Sequence, residues 1–164
     1  MKKIMIIFAL SILFWIGCTK ESYIAPPEEK KVTRSIVGDI QSNPDLNSIS
    51  PFGGALTSGT LTPIGTVHGK VVFTSYVQVS ATEFSLTSED IIYALNSDEL
   101  WTEARYEYYY PTDGSTTAVL TGYAKIVGGT GIFSNATGSF RYENMVSNII
   151  TGQTSYKLRG EITY

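Results

Sequence analysis

Between Leu100 and Val127 the chain reads LWTEARYEYYYPTDGSTTAVLTGYAKIV. Two alternating runs flank Pro111-Thr112-Asp113-Gly114, a strong turn signal because proline presets one turn dihedral and glycine takes the left-handed one. In the first run Ala104, Tyr106, Tyr108 and Tyr110 share one parity, and Trp101, Glu103, Arg105 and Glu107 share the other. In the second, Ala118, Leu120, Gly122, Ala124 and Ile126 oppose Thr117, Thr121 and Lys125. Side chains on a strand alternate between faces, so each run predicts a half-buried strand with its less polar set turned to a core. The pair therefore predicts an antiparallel hairpin of strands 100–110 and 116–127.

The same pattern extends both ways. Further strands are expected over 33–40, 55–61, 65–79, 82–87, 90–95, 137–143 and 155–163. No window shows a convincing helical period. Residues 41–54, rich in Asn, Ser, Pro and Gly, read as a loop, and Asn96-Ser97-Asp98 as a hairpin turn. Over 70–79, Val71, Phe73, Ser75, Val77 and Val79 form the less polar set and are expected inside, with Val72, Thr74, Tyr76 and Gln78 outside. Ser35-Ile36-Val37-Gly38-Asp39-Ile40 echoes Lys157-Leu158-Arg159-Gly160-Glu161-Ile162. This suggests that the first and last strands are neighbours that close the sheet and remove its exposed edges. The expected fold is all-β, a small antiparallel barrel over 32–164, with the glycine in each of those strands easing its bend.

The chain opens differently. Met1-Lys2-Lys3 is a short basic segment, and Ile4 to Ile16 is a thirteen-residue apolar run broken only by Ser11. As a helix it spans roughly 20 Å, short of the ~30 Å hydrocarbon core, which fits a signal peptide better than a membrane anchor. Trp15-Ile16-Gly17-Cys18 resembles the lipobox of bacterial lipoproteins, with Trp15 in place of the usual leucine. The resemblance implies cleavage after residue 17 and a lipid on Cys18, the chain's one cysteine, anchoring the protein durably to a membrane. An exported chain with one cysteine has no internal disulfide, so its fold rests on its core. Residues 18–31 are polar, charged and broken by Pro26-Pro27, and read as a flexible tether. Thr19 is not the aspartate that resembles an inner-membrane retention signal, which points to the outer membrane or cell surface.

Removal of Lys2 and Lys3 leaves ten basic residues against fifteen acidic ones, a net charge of −5. That argues against nucleic acid and against a polybasic membrane-binding surface, both of which need clustered Lys and Arg. Eleven tyrosines and frequent Gly and Thr suit an all-β extracytoplasmic protein. Nothing in the sequence sets an oligomeric state.

Three segments carry a second resemblance. Gly65-Thr66-Val67-His68-Gly69-Lys70 resembles a G-x-[AT]-x-H-x-G-[KR] element, one residue shorter after the histidine. Asn96-Ser97-Asp98-Glu99-Leu100 is similar to an N-G-D-E-L turn with Ser for Gly. Gly128-Gly129-Thr130-Gly131-Ile132-Phe133-Ser134-Asn135-Ala136-Thr137-Gly138 resembles a GGTGxFxxAxG signature. Together, over about half the chain, they resemble the calycin-like barrels of the allene oxide cyclase and dirigent group and their bacterial exported relatives. The resemblance implies about eight antiparallel strands but no activity, since one fold hosts many functions. Phe133 and Ala136 are expected to plug one barrel end.

Chemistry is sparse. His68 is the lone histidine; no G-x-S-x-G elbow accompanies it, and zinc wants three or four ligands, so its ordinary reading is structural. Glu103 and Glu107 lie about 13 Å apart along one strand face, too far for a glycosidase pair, with Arg105 between them as in a surface ion-pair row. The Gly128–Gly131 turn lacks the Gly-Lys-Ser/Thr and helix of a phosphate loop. No cofactor or metal is expected. Tyr106, Tyr108 and Tyr110, with His68, are candidate lining residues of a barrel cavity, since tyrosine offers a flat face and a hydroxyl. Three readings follow: a lipoprotein binding a small apolar or aromatic ligand, an isomerase resembling allene oxide cyclase, or a structural envelope protein with a filled barrel. The isomerase needs an open cavity and polar groups inside it, and no inward charged residue is evident from the pattern.

Overall fold

Eight strands run up and down in the computed structural model, which describes residues 31–164. They are β1 (Thr33–Pro44), β2 (Gly54–Thr62), β3 (Gly65–Gln78), β4 (Glu83–Ala94), β5 (Glu99–Tyr109), β6 (Thr117–Gly129), β7 (Thr137–Asn148) and β8 (Thr154–Thr163). A single 3-10 turn, Gly131–Phe133, joins β6 to β7. Each strand pairs antiparallel with its sequence neighbours, and β1 pairs with β8 from Thr33↔Thr163 to Ser42↔Thr154, closing the barrel. The expected signal segment 1–17, Cys18 and the expected tether up to residue 30 lie outside the described residues.

Several boundaries differ from the sequence reading. The segment 82–87 and the segment 90–95 are one strand: Leu86, Ser88 and Asp90 all point inward and Glu89 outward, so residues 88–89 continue the strand. Residues 41–44 continue β1, leaving a shorter loop before Gly54. β7 runs on to Asn148 through a bulge at Glu143/Val146, where Asn144 takes a φ of 52°. On β3 a bulge between Phe73 and Ser75 puts an extra residue opposite Ser88 and Thr87 and reverses the parity beyond it. Tyr76 therefore turns to the interior, and Val77 and Val79, expected inside, are exposed.

The end where β1 begins and β8 finishes is filled. Ile36, Leu61, Leu100, Ile126, Phe133, Phe140 and Ile162 are all fully buried there. The glycine-rich turn and the Asn96-Ser97-Asp98 turn lock this plug together. Asp98 accepts a bond from the Ile132 amide at 3.1 Å, and Thr130 and Glu99 exchange bonds of 2.8 and 2.9 Å. Gly131 has a φ of +53° and no room for a Cβ beside the Asp98 carboxylate. Gly160 is needed for space instead: a Cβ there would lie 2.0 Å from the Ser139 carbonyl oxygen and 2.5 Å from the Phe140 Cα. Gly160→Ala should cost about 2 kcal/mol or more through overpacking. Thermal unfolding followed by circular dichroism should show a clear drop in midpoint, and an unchanged midpoint would refute the close approach.

Candidate functional site

At the opposite end the barrel opens into a cavity of about 370 Å³. Its walls combine aromatic rings (Phe73 and Tyr76 from β3, Tyr106 and Tyr108 from β5) with the aliphatic side chains of Leu120 and Met145. The rings interlock: Tyr76 packs on Phe84 at 5.0 Å between centroids, and Phe84 meets Tyr108 edge-on at 6.3 Å. Serine, threonine, asparagine and tyrosine supply the polar atoms of the lining, and no charged side chain lines it.

Tyr106, Tyr108 and Tyr110 all border this cavity, at its inner end, its wall and its rim. His68 does not. It stands exposed on the outer face of β3 between the inward Val67 and Gly69, so it belongs neither to the cavity nor to a buried structural network. The Glu103–Arg105–Glu107 row is also outside, with Arg105 Nη2 3.0 Å from Glu107 Oε1.

The sequence reading missed Asp90. It lies on β4 opposite Thr102, only 6% exposed, behind the inner end of the cavity formed by Tyr106 and Tyr156. Four hydroxyls surround its carboxyl group. Ser88 Oγ donates to Oδ1 at 2.6 Å; the Tyr106 and Tyr142 hydroxyls lie 3.3 Å from Oδ2, and Thr102 Oγ1 lies 3.4 Å from it. The Tyr106 and Tyr142 hydroxyls are 3.0 Å apart. Among the described residues no basic side chain forms an ion pair with Asp90. The signal was present in the sequence: the alternation Leu86, Ser88, Asp90, Ile92 never breaks phase.

Burial pushes the Asp90 carboxyl up to about 6, against the opposing pull of its four hydroxyl partners. Burial also raises the Tyr106 and Tyr142 phenols well above their ordinary range, and the Asp90 charge adds to the effect. Tyr156 is raised by the same two causes in the same order. These phenols stay protonated and serve as donors. A void of about 20 Å³ bordered by Asp90, Tyr142 and Tyr156 is large enough for one water. Among the described residues no group of three or more His, Cys, Asp and Glu could hold a metal ion.

No protein-family model matches the chain, and no curated protein matches it.

The Asp90 shift fixes a pH dependence. Below about pH 4 the carboxyl is neutral in the folded and unfolded states alike. Between about 4 and 6 the folded state holds a proton that the unfolded chain releases, and above 6 the fold must carry a buried charge. Stability from this group is therefore lost as pH rises through that window, by on the order of 2–3 kcal/mol. Asp90→Asn should gain stability relative to wild type by that amount between pH 4 and pH 7, read by urea denaturation. A difference that stays flat across the window would refute the titration.

Proposed function

We propose that the chain is an envelope lipoprotein whose barrel binds a small, neutral, largely apolar or aromatic ligand. The observation that carries this reading is a 370 Å³ cavity open at one barrel end and lined without a single charged side chain. Pockets of ligand-binding proteins begin at roughly that volume and are lined mainly by apolar and aromatic groups with a few polar ones. Packed to native density, the space holds a ligand of roughly 15 non-hydrogen atoms. A carboxylate ligand finds no cation there, and Asp90 behind the floor opposes it once ionised. The volume also disfavours the reading of a barrel filled by its own side chains.

The isomerase reading, drawn from the likeness to allene oxide cyclase, gains polar groups and an open cavity. It is the weaker of the two because Asp90 stands behind Tyr106 and Tyr156, with its oxygens already occupied by hydroxyls, so no carboxylate, imidazole or amine borders the cavity. The anchor reading rests on Gly17-Cys18 at the end of a short apolar run. Among the described residues no helix is long and apolar enough to cross a membrane, and lipid on Cys18 would supply the attachment. The outer membrane or cell surface is the location proposed.

Two experiments test these readings. The neutral dye N-phenyl-1-naphthylamine should brighten on binding the purified protein, and Leu120→Trp, which fills the cavity from β6, should weaken binding at least about tenfold. Equal binding by the two proteins would place the dye elsewhere and remove the support. Separately, Cys18→Ser should move the protein from the membrane fraction to the soluble fraction, and intact mass should show acyl chains on wild type only. A membrane-bound Cys18→Ser protein would sink the anchor.

A further inference from the structure

The cavity mouth is ringed by apolar side chains that the fold leaves in water. Leu46 and Ile49 on the β1–β2 connection are 93% and 97% exposed, and Ile150 on the β7–β8 connection is 75% exposed. Phe52, Val79 and Tyr110 extend the ring, so all four connections at this end contribute. The exposure is built in. Asp45 Oδ1 accepts the Asn47 amide at 3.0 Å, Ser50 Oγ accepts the Phe52 amide at 3.1 Å, and the Ser50 hydroxyl donates to the Phe73 carbonyl. On the other loop Asn148 Oδ1 accepts the amides of Ile150 and Thr151 at 2.9 and 3.1 Å. Polar side chains are thus spent on holding the loops, and apolar ones face outward, the reverse of an ordinary surface loop.

We infer that this rim docks the barrel, mouth first, onto the surface of a neutral lipid bilayer, from which the cavity takes its ligand. Three observations favour lipid over a protein partner. First, the exposed apolar side chains come from four separate connections around an opening, which a fluid surface can accommodate; a protein interface needs a contiguous complementary patch. Second, the four connections carry Asp45 and Asp113 and no lysine or arginine, and Asp45 is engaged by Lys70 at 3.9 Å. Such a rim suits zwitterionic lipid and gains nothing from anionic lipid. Third, the chain length allows it. β1 begins at the plugged end, so the chain from Cys18 joins the barrel opposite the mouth. The thirteen residues Cys18–Lys30 reach roughly 45 Å when extended. A twelve-residue strand tilted as in a barrel stands about 30 Å tall, so an anchored barrel can still turn its mouth to the same bilayer. This third point rests on the anchor reading; the first two do not.

The test uses the mature chain from residue 18 carrying Cys18→Ser, so that no acyl chain contributes, sedimented with phosphatidylcholine vesicles. The parent should partition onto vesicles reversibly, with no loss between 0.1 and 0.5 M NaCl. Leu46→Ser/Ile49→Ser/Ile150→Ser should weaken partitioning at least about tenfold. Ile150→Ser alone, which leaves the β1–β2 connection intact, should show a smaller loss in the same direction. Matching thermal midpoints would show that all are folded. A parent that ignores vesicles, or a triple variant that binds them equally, overturns the inference. A parent that self-associates without lipid, and loses this in the triple variant, also overturns it by making the rim a protein interface. Neutral-dye titration of the same triple variant reads the cavity independently, which keeps a failed rim distinct from a failed cavity.

Discussion

The ladder between β1 and β8 is the constraint on which the rest depends. It pairs residues as far apart in sequence as Thr33 and Thr163, and once formed it leaves no strand edge open. Closure also gives all eight strands one shared interior, whose cross-section follows from strand number and stagger rather than from the side chains that must fill it. At the plugged end, phenylalanine, leucine and isoleucine match that space. At the mouth end, inward positions on β1, β2 and β7 carry Ser42, Ala55 and Ser147. These small residues face the aromatic wall of β3–β5 and do not reach it. The cavity is thus the consequence of a closed ring whose inward side chains change size along its axis.

Asp90 sits where filled interior gives way to cavity, and its position is costly. A buried carboxyl without a cation loses hydration that only hydrogen bonds can replace. Ser88, Thr102, Tyr106 and Tyr142 supply them, each from a neighbouring inward position on β4, β5 or β7. The two tyrosines serve twice. Their rings pack 4.9 Å apart among the core side chains, and their hydroxyls are held on one carboxyl group. That shared acceptor fixes the orientation of Tyr106, which forms part of the inner end of the cavity. The polar cluster thereby sets the depth of the cavity as well as its electrostatics.

Architecture was legible in the sequence because it depends on period-two alternation and turn chemistry, both local. The hairpin across Pro111–Gly114, the Asn96–Asp98 turn and the closing pair of strands are all legible in the residues themselves. Two kinds of feature are not. Parity beyond the Phe73/Ser75 bulge is not legible because nothing in Thr74-Ser75-Tyr76 announces an inserted residue; β4 imposes it through pairing. Ser88 and Glu89 separate the expected strands 82–87 and 90–95 because polar residues in succession interrupt the apolar pattern, whereas Ser88 and Asp90 find partners on strands distant in the chain. Tyr106, Tyr108 and Tyr110 were placed on the cavity side by alternation alone. Residue type alone suggests His68 for the cavity, and its parity puts it outside.

Two departures from the rule that apolar groups go in and charges go out lie along one path. Leucine and isoleucine stand in water around the mouth, and a carboxyl is buried behind the inner end of the same cavity. Each is unfavourable for stability: polar tips would suit the loops, and an apolar side chain would suit the Asp90 position without hydroxyls to hold it. Departures of this kind tend to mark sites under functional constraint. Scattered over the barrel, these two would be unrelated local costs. Placed at the entrance and the far end of one uncharged cavity, they are what the proposed route for a neutral ligand requires: an apolar surface where it would leave lipid and a polar one where its travel would stop.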